Sequence, residues 1–323
     1  MNNEQRTTCL PDRQANNLSA GQASEQHIKQ LALQVGFDDC GISKADYLYE
    51  QEEHLNKWLR NGYNGDMSFF ERNVDKRFDP RILVPNAKSV ISVILSYYPG
   101  NPEISTKAPK ISRYAICPDY HKVVKDKLHI LLELIRKEFG NVEGRAFVDT
   151  APVLEKAWAS KAGLGWIGKN SLLVNPKLGT FVFIGELIVD LELEPTSEKV
   201  EDRCGSCTRC IDACPNGAIV SPRVINTNKC IAYLTIEKEA PLTDDEKKSL
   251  NGWCYGCDIC QEVCPWNSKI SITNRNDIKP KQEVIEIDPE TVKTISNEKF
   301  VSLFINTPLK RAGRERLIIN SNS

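Results

Sequence analysis

The front half of the chain alternates two patterns of apolar residues. Residues 90–98 (VISVILSYY) form an almost unbroken apolar run, which predicts a buried strand. Residues 122–139 carry apolar side chains at helical spacing and predict one amphipathic helix that ends before Gly140. Shorter segments predict a strand at 145–149, a helix at 152–162 and strand-rich chain at 181–193. The alternation predicts a mixed α/β domain with its own core.

The pattern changes on both sides of this domain. The first residues are polar and predict a flexible tail. Beyond the domain, cysteines and Gly and Pro turns replace the periodic segments, and the chain later becomes polar and ends in a basic stretch at 310–316. We therefore expect four parts: a tail at 1–24, the α/β domain at 25–195, a cysteine-rich module at 196–270, and a segment at 271–323 that packs back on the core.

The bulk composition excludes several classes of protein. The 323 residues carry a net charge of −1, so the overall charge does not indicate a nucleic-acid partner. Any contact with a nucleic acid must come from a local basic patch. No run of 18 apolar residues predicts a membrane span. The polar N-terminus lacks the apolar centre of a signal peptide. We expect a cytoplasmic protein that acts as a monomer.

Cysteine is the residue that most changes this picture. The chain has 12 cysteines, and in a reducing compartment such a number indicates metal rather than disulfides. Nine lie between Cys204 and Cys264, and eight of these form two CxxCxxCxxxCP runs, beginning at Cys204 and Cys254. That spacing is typical of ferredoxins with two 4Fe–4S clusters. Zinc is the alternative, but zinc ribbons use separate cysteine pairs. The runs predict a ferredoxin-like module.

Nine cysteines compete for eight ligand positions in this module. In a simple ferredoxin, the fourth cysteine of each run binds the cluster of the other run. Cys230 lies outside both runs, and spacing alone leaves open whether Cys230 or Cys254 binds the second cluster. Cys9, Cys40 and Cys117 are isolated, and we expect them to be incidental thiols.

Two features of the α/β domain are candidates for chemistry. Asp149 follows a predicted strand, so it is either a general acid, if burial raises its pKa, or the N-cap of the next helix. Residues 163–168 read GxGxxG and lead into Lys169-Asn170-Ser171. This segment is either a loop around a polar cofactor or a glycine-rich turn without a ligand. It follows a helix rather than a strand, which argues against a dinucleotide phosphate loop.

Several motifs occur together over about residues 25–320. They are Arg72, Asp79-Pro-Arg, Arg113, Asp119-Tyr-His, Asp149-Thr-Ala-Pro, Gly165-Trp-Ile-Gly-Lys-Asn-Ser, the two cysteine runs, Cys230-Ile-Ala-Tyr-Leu-Thr, Cys264-Pro-Trp-Asn and Pro308-Leu-Lys-Arg-Ala-Gly-Arg. In this combination the chain resembles the epoxyqueuosine reductases, which are cobalamin-dependent enzymes of tRNA modification.

The resemblance implies an α+β fold, with a nitroreductase-like cobalamin-binding domain followed by the ferredoxin-like domain. It implies reduction of epoxyqueuosine to queuosine at wobble position 34 of tRNAs with GUN anticodons, the last step of queuosine biosynthesis. Electrons would pass from an external flavodoxin or ferredoxin system through two 4Fe–4S clusters to cobalamin. Many relatives carry a helical-repeat extension after the basic stretch. This chain ends at Ser323, so we expect tRNA contacts from the core and from residues 310–316.

The resemblance also implies roles for single residues. Asp149 would donate a proton to the departing oxygen, and Cys254 would have no cluster role. The first cluster would be held by Cys204, Cys207, Cys210 and Cys264, and the second by Cys214, Cys230, Cys257 and Cys260. Cobalamin contacts would fall on Arg72, Ser112, Asp149, Lys169, Asn170, Ser171, Leu173 and Tyr233, although some relatives carry Cys in place of Ser112.

Two other classes of protein fit parts of the pattern. A cobalamin-dependent reductive dehalogenase would share both kinds of cofactor, but such enzymes act on organohalides and usually carry an export signal. A non-catalytic ferredoxin-type electron carrier would need only the cysteine module. The α/β domain, with its Lys169-Asn170-Ser171 loop, argues against a carrier.

Overall fold

The fold is that of a computed structural model, in which residues 20–100, 109–196 and 198–322 are described. Most of the tail expected at 1–24 lies outside these residues, as does Cys9, and the first helix begins at Ala20. The strands are β1 (Asp39–Lys44), β2 (Ser89–Ser96), β3 (Lys110–Ile111), β4 (Gly144–Phe147), β5 (Trp166–Ile167), β6 (Leu173–Val174), β7 (Val182–Val189), β8 (Ile219–Ser221), β9 (Val224–Ile225) and β10 (Trp253–Tyr255).

The helices are α1 (Ala20–Val35), α2 (Tyr49–Arg60), α3 (Val74–Phe78), α4 (Pro80–Leu83), α5 (Tyr120–Phe139), α6 (Glu155–Lys161), α7 (Arg209–Asp212), α8 (Ile231–Ile236), α9 (Asp244–Ser249), α10 (Ile259–Glu262), α11 (Gln282–Ile285), α12 (Pro289–Lys293), α13 (Asn297–Phe304) and α14 (Leu309–Ser321). Four of these helices, α1, α2, α5 and α14, have 12 or more residues, and the others are short. None of the described helices has the length and apolarity that crossing a bilayer requires.

A four-stranded antiparallel sheet of order β1-β2-β7-β4 organises the α/β domain. Every residue of β2 is buried, as expected for the apolar run at 90–98, because helices cover both faces of the sheet. Helices α1 and α5 pack on one face and α6 on the other. The predicted mixed α/β domain is confirmed, and α6 begins at Glu155 rather than at residue 152.

Helix α5 begins two residues before the position predicted from its apolar spacing. The Asp119 carboxylate caps it by accepting a hydrogen bond from the His121 backbone N–H at 3.1 Å. Its apolar stripe is buried against the sheet, and it ends at Gly140, whose φ of 83° and ψ of −144° are readily adopted by glycine. The cap therefore fixes Tyr120 and His121 in the first helical turn, at the edge of the domain.

Strand β1 and helix α6 approach each other closely at Gly41. A Cβ atom there would lie 2.0 Å from the carbonyl oxygen of Ala162 at the end of α6. Because that obstacle is backbone, the contact cannot be relieved by a side-chain rotation. The spacing between sheet and helix therefore requires glycine at this position.

We expect Gly41→Ala to reduce the free energy of unfolding by about 1–3 kcal/mol, because the added methyl forces α6 away from the sheet. The measurement is the denaturant midpoint of the purified protein. Leu33→Ala, at a side chain that is 53% exposed, is the control and should change stability by less than about 0.5 kcal/mol. Equal stability of both variants would show that α6 can shift at no cost.

The cysteine module is fastened to the α/β domain by buried polar side chains. The Thr180 hydroxyl, just before β7, donates to Gln261 at 3.0 Å, and Asn267 donates to the same hydroxyl at 2.9 Å. On its other side, the C-terminal helices pack against β10, and Asn320 of α14 donates to the Cys254 carbonyl at 2.8 Å. The segment after residue 270 therefore packs back on the core.

Candidate active site and cluster sites

Asp149 lies on the turn between β4 and α6. It adopts the left-handed conformation, with φ 55°. Its backbone N–H donates to the Glu155 carboxylate in the first turn of α6. The N-cap of α6 is Leu154, so the interpretation of Asp149 as the cap is wrong. The Asp149 side chain instead turns away from α6 and is 55% exposed.

Two side chains of the α5 N-terminus contact this carboxylate, and a third holds one of them in place. The Tyr120 hydroxyl donates to Asp149 Oδ2 at 2.7 Å. His121 Nε2 lies 3.0 Å from the same oxygen, and His121 Nδ1 lies 2.7 Å from Asp119 Oδ1. Because both ring nitrogens face carboxylate oxygens, the imidazole satisfies both contacts only when it carries two protons. The geometry therefore favours the imidazolium.

The pKa shifts agree with this distribution of charge. Burial raises the pKa of Asp149, but the hydrogen bonds from His121 and Tyr120 outweigh it and hold the pKa below its usual value. Burial lowers the pKa of His121, but Asp119 and Asp149 outweigh it and hold that pKa above its usual value. Burial alone does not raise the pKa of Asp149 above its usual value, because its hydrogen-bond partners favour the carboxylate, and the geometry favours the shared proton on His121.

Glu155 lies on the other side of Asp149. Burial, together with the charge of Asp149, raises the pKa of Glu155 to about 8. Two neighbouring carboxyl groups with pKa values pushed apart are typical of sites that move protons. Arg311, from the basic stretch, lies 3.8 Å from Asp119 and brings a guanidinium to the edge of this cluster.

The other arginines of the basic stretch have partners inside the protein. Arg314 donates to the Ile295 carbonyl at 2.5 Å, and Arg316 donates to the Leu234 and Lys238 carbonyls. These two side chains hold α14 against its neighbours. Of the three arginines, Arg311 is the one placed at the candidate site.

The segment at 163–171 forms the β5–β6 hairpin and its approach. A Cβ at Gly163 would lie 2.3 Å from the Glu198 carbonyl, and one at Gly165 would lie 2.2 Å from the Val174 carbonyl. Close backbone packing therefore explains these glycines without a ligand. Ser171 Oγ, in contrast, is buried without a hydrogen bond among the described residues, and a buried hydroxyl normally has a partner.

The residues predicted to contact a cofactor divide into two groups. Arg72 is exposed, and Ser171 and Asp149 are both close to Lys156, which donates to the Ser171 carbonyl at 2.9 Å and is influenced by the charge of Asp149. The others have partners inside the protein. The Ser112 hydroxyl donates to Asp258, and the Tyr233 hydroxyl accepts from the Asp66 backbone N–H. Lys169 donates to the carbonyls of Gly205 and Cys207, Asn170 donates to the Cys260 carbonyl, and Leu173 lies in the core. These side chains position the cysteine loops and the surrounding chain.

Two groups of four thiols are brought together by the module. The charges of Cys204, Cys207 and Cys210 all act on Cys264, whose pKa is raised first by burial. The four also line one surface cavity.

In the second group, the charges of Cys214 and Cys230 act on Cys257, whose pKa burial raises to about 12. Cys257 and Cys230 act in turn on Cys260, where burial again has the largest effect. Cys210 also acts on Cys260, so the two groups are neighbours.

Cys254 belongs to neither group. It lies in β10, is 1% exposed, and donates through Sγ to the Lys110 carbonyl at 3.5 Å. Its apolar neighbours belong to the core beneath the C-terminal helices. Cys40 and Cys117 are also buried in cores. The three behave as small apolar side chains.

Hydrogen bonds connect the second thiol group to the neighbourhood of Asp149: Asn170 donates to the Cys260 carbonyl at 3.4 Å, and Lys156, next to Glu155, donates to the Ser171 carbonyl at 2.9 Å. Lys156 is influenced by Cys260 as well as by Glu155 and Asp149. The first group lines a surface cavity of about 450 Å³. Trp166 Nε1 donates to Cys204 Sγ at 3.4 Å, and such a hydrogen bond to a ligand sulfur influences the reduction potential of a cluster.

Several site residues were not singled out as functional from the sequence. Tyr120, His121 and Asp119 were part of the quoted motifs, but a polar first turn of a helix is ordinary in itself. Glu155 and Lys156 were assigned only to a helix. The available signal was their nearness to Asp149 across a strand and a helix, which a linear pattern does not show.

Comparison with known proteins decides the family. Residues 77–150 match the family model described as "Epoxyqueuosine reductase QueG, DUF1730", and residues 203–267 match the "4Fe-4S double cluster binding domain". An epoxyqueuosine reductase of Cellulophaga algicola is 47% identical over 294 residues, covering 90% of this chain and 95% of that protein. The chain belongs to the epoxyqueuosine reductase family. The Escherichia coli enzyme is 40% identical, covering 91% of this chain and 79% of that protein.

Solved structures agree with the membership in the epoxyqueuosine reductase family. A crystal structure of epoxyqueuosine reductase with a tRNA-Tyr epoxyqueuosine-modified stem loop matches with a TM-score of 0.84 and 29% identity, covering 93% of this chain and 80% of that chain. A catabolic reductive dehalogenase matches at 16% identity with a TM-score of 0.50, covering 94% and 38% of the two chains. That likeness concerns the fold alone. The α+β prediction with a two-cluster module is confirmed, and the dehalogenase and carrier alternatives are not favoured.

Proposed function

We propose that this protein reduces epoxyqueuosine to queuosine at the wobble position of tRNAs with GUN anticodons. Its cofactors are two 4Fe–4S clusters and cobalamin. One observation carries the proposal: a run of hydrogen bonds, from Asn170 to the Cys260 carbonyl, from Lys156 to the Ser171 carbonyl and from Asp149 N–H to Glu155, connects the cysteine module to the Asp149–His121 pair. A redox module connected to a proton-donating pair suits a reaction that consumes electrons and protons together.

The residues present fit both kinds of cofactor. Four thiols per group is the ligand set of a 4Fe–4S cluster, and we assign Cys204, Cys207, Cys210 and Cys264 to the first cluster and Cys214, Cys230, Cys257 and Cys260 to the second. The unpartnered Ser171 hydroxyl and the exposed Arg72 suit a large polar cofactor beside Asp149. Cobalamin, when bound, supplies the reducing cobalt centre that acts on the epoxide.

The chain's own part in the chemistry is to hold and deliver a proton. Asp149 Oδ2 and His121 Nε2 share one hydrogen bond, and Asp119 holds the imidazole in place through Nδ1. His121 Nε2 passes its proton to Asp149 Oδ2, and Asp149 delivers it to the departing oxygen. Glu155 keeps the Asp149 turn in position through its bond to the backbone N–H.

The proton source predicts a pH dependence. The pKa of His121 is raised, so the imidazolium is present at low pH and is lost as the pH rises through that pKa. We expect single-turnover rates of the reduced enzyme to fall along an alkaline limb that lies above the usual histidine range near 6.5. His121→Gln should remove this limb and slow turnover by about 10²-fold.

His129→Gln on the same helix is the matched control, because His129 is exposed and has no contact with Asp149. It should keep both the rate and the limb. An unchanged alkaline limb in His121→Gln would assign the titration to another group.

The proposed activity has a direct test. The reconstituted protein is incubated without oxygen with cobalamin, dithionite and epoxyqueuosine-containing tRNA, and the nucleosides are then analysed. Conversion to queuosine is expected, and 3-bromo-4-hydroxybenzoate in place of tRNA should remain unchanged. Debromination without conversion of the tRNA would instead favour a dehalogenase.

A further inference from the structure

The cavity that holds the first thiol group is bordered by positive charge. Five basic side chains line it and no Asp or Glu does: Lys169, Lys177, Arg203, Arg209 and Lys269. The chain as a whole has a net charge of −1, so this concentration is local. A rim of one sign around an opening directs an oppositely charged partner to it.

Four of the five cations form no ion pair within the described part of the chain. Lys169 donates to the Gly205 and Cys207 carbonyls and so supports the cysteine loop. The other four are exposed, and none forms an ion pair with a residue in the described ranges; they are Lys177, Arg203, Arg209 and Lys269. We call these four residues the basic rim.

Two acidic residues next to the basic rim along the chain or beside the cavity are paired with cations outside the rim. Asp202 pairs with Arg223, and Glu262 lies 2.7 Å from Arg113. Asp212 accepts a hydrogen bond from the Thr208 hydroxyl at 2.7 Å. The four cations of the rim form no ion pair with a described residue, and they line the cavity that also exposes the first thiol group.

We propose that the basic rim is the docking surface for a small acidic one-electron donor protein, which reduces the cluster held in this cavity. The inference rests on the proposed function, because only a redox role requires electrons to enter here. Each reduced donor loses one electron. Two electrons and two protons convert the epoxide into the alkene of queuosine and release its oxygen as water.

The test reverses two charges that lie away from the cysteines. The variant is Lys177→Glu with Lys269→Glu, and the matched control is Lys125→Glu with Lys137→Glu on the exposed side of α5. The probe is an acidic flavodoxin. Its binding to the cluster-loaded protein is measured by titration at low and high salt, and cluster reduction by reduced flavodoxin is followed by stopped-flow absorbance.

We expect the rim variant to bind flavodoxin at least about tenfold more weakly at low salt, with a smaller salt dependence and slower cluster reduction. The control should match the wild type. Unchanged binding and reduction in the rim variant would overturn the proposal.

A parallel assay with dithionite separates this proposal from the proposed function. Dithionite needs no docking surface, so the rim variant should convert tRNA at the wild-type rate and with the wild-type KM for tRNA. A raised KM would assign the rim to RNA and overturn donor docking. If wild-type protein fails to convert tRNA with dithionite, the proposed function fails, whatever the flavodoxin titration shows.

Discussion

Asp149→Asn should abolish most of the turnover while leaving the cofactors bound. Asparagine tolerates the left-handed conformation that Asp149 adopts at φ 55°, so the turn keeps its shape. The side chain loses the charge that pairs with His121 and can no longer pass on a proton. We expect the rate of epoxyqueuosine reduction to fall by about 10²–10⁴-fold. The measurement is single-turnover conversion of the tRNA by pre-reduced protein.

Two comparisons show whether the slower turnover is caused by loss of proton transfer rather than by loss of a cofactor. Corrin and iron–sulfur absorption should be equal in Asp149→Asn and wild-type protein, which separates chemistry from cofactor loss. Asp126→Asn removes an exposed carboxylate from α5 and should leave the rate unchanged. Full activity of Asp149→Asn would rule out Asp149 as the proton donor.

The core of the fold could be predicted because its signals are local. The apolar run at 90–98 is the buried strand β2, and the stripe at 122–139 lies within α5. The boundaries were less exact, because α5 begins at the Asp119 cap and α6 begins only after the turn at Asp149. Such turns depend on contacts such as the bond from Asp149 N–H to Glu155, which no periodicity reveals.

The candidate site could be predicted only where its signals are local in the sequence. Cysteine spacing indicated two clusters, because ligand loops are short and local. The partners of Asp149 come from α5 and lie 28 and 29 residues away, so spacing gave no indication of their roles. Several side chains expected at the cofactor, Ser112 and Tyr233 among them, are instead bonded within the protein, since a motif marks a position but not the direction of its side chain.

The ninth cysteine provides the second large expected effect. Cys230→Ser should remove the second cluster, because Cys230 is near enough to Cys214 and Cys257 to influence their thiols and we assign it as the fourth ligand of that cluster. We expect iron to fall from about eight to about four atoms per chain and turnover to be lost with either dithionite or flavodoxin as reductant. Iron analysis and electron paramagnetic resonance of the reduced protein measure the loss.

Cys254→Ser is the matched control, since it makes the same chemical change at a cysteine of the second run. The Cys254 thiol donates to the Lys110 carbonyl, and a serine hydroxyl can make the same bond in the same space. We therefore expect about eight iron atoms per chain and full turnover. The reverse result, with iron lost in Cys254→Ser and kept in Cys230→Ser, would restore the simple ferredoxin pairing. The pair of variants thus decides which cysteine completes the path of electrons to the cobalamin beside Asp149.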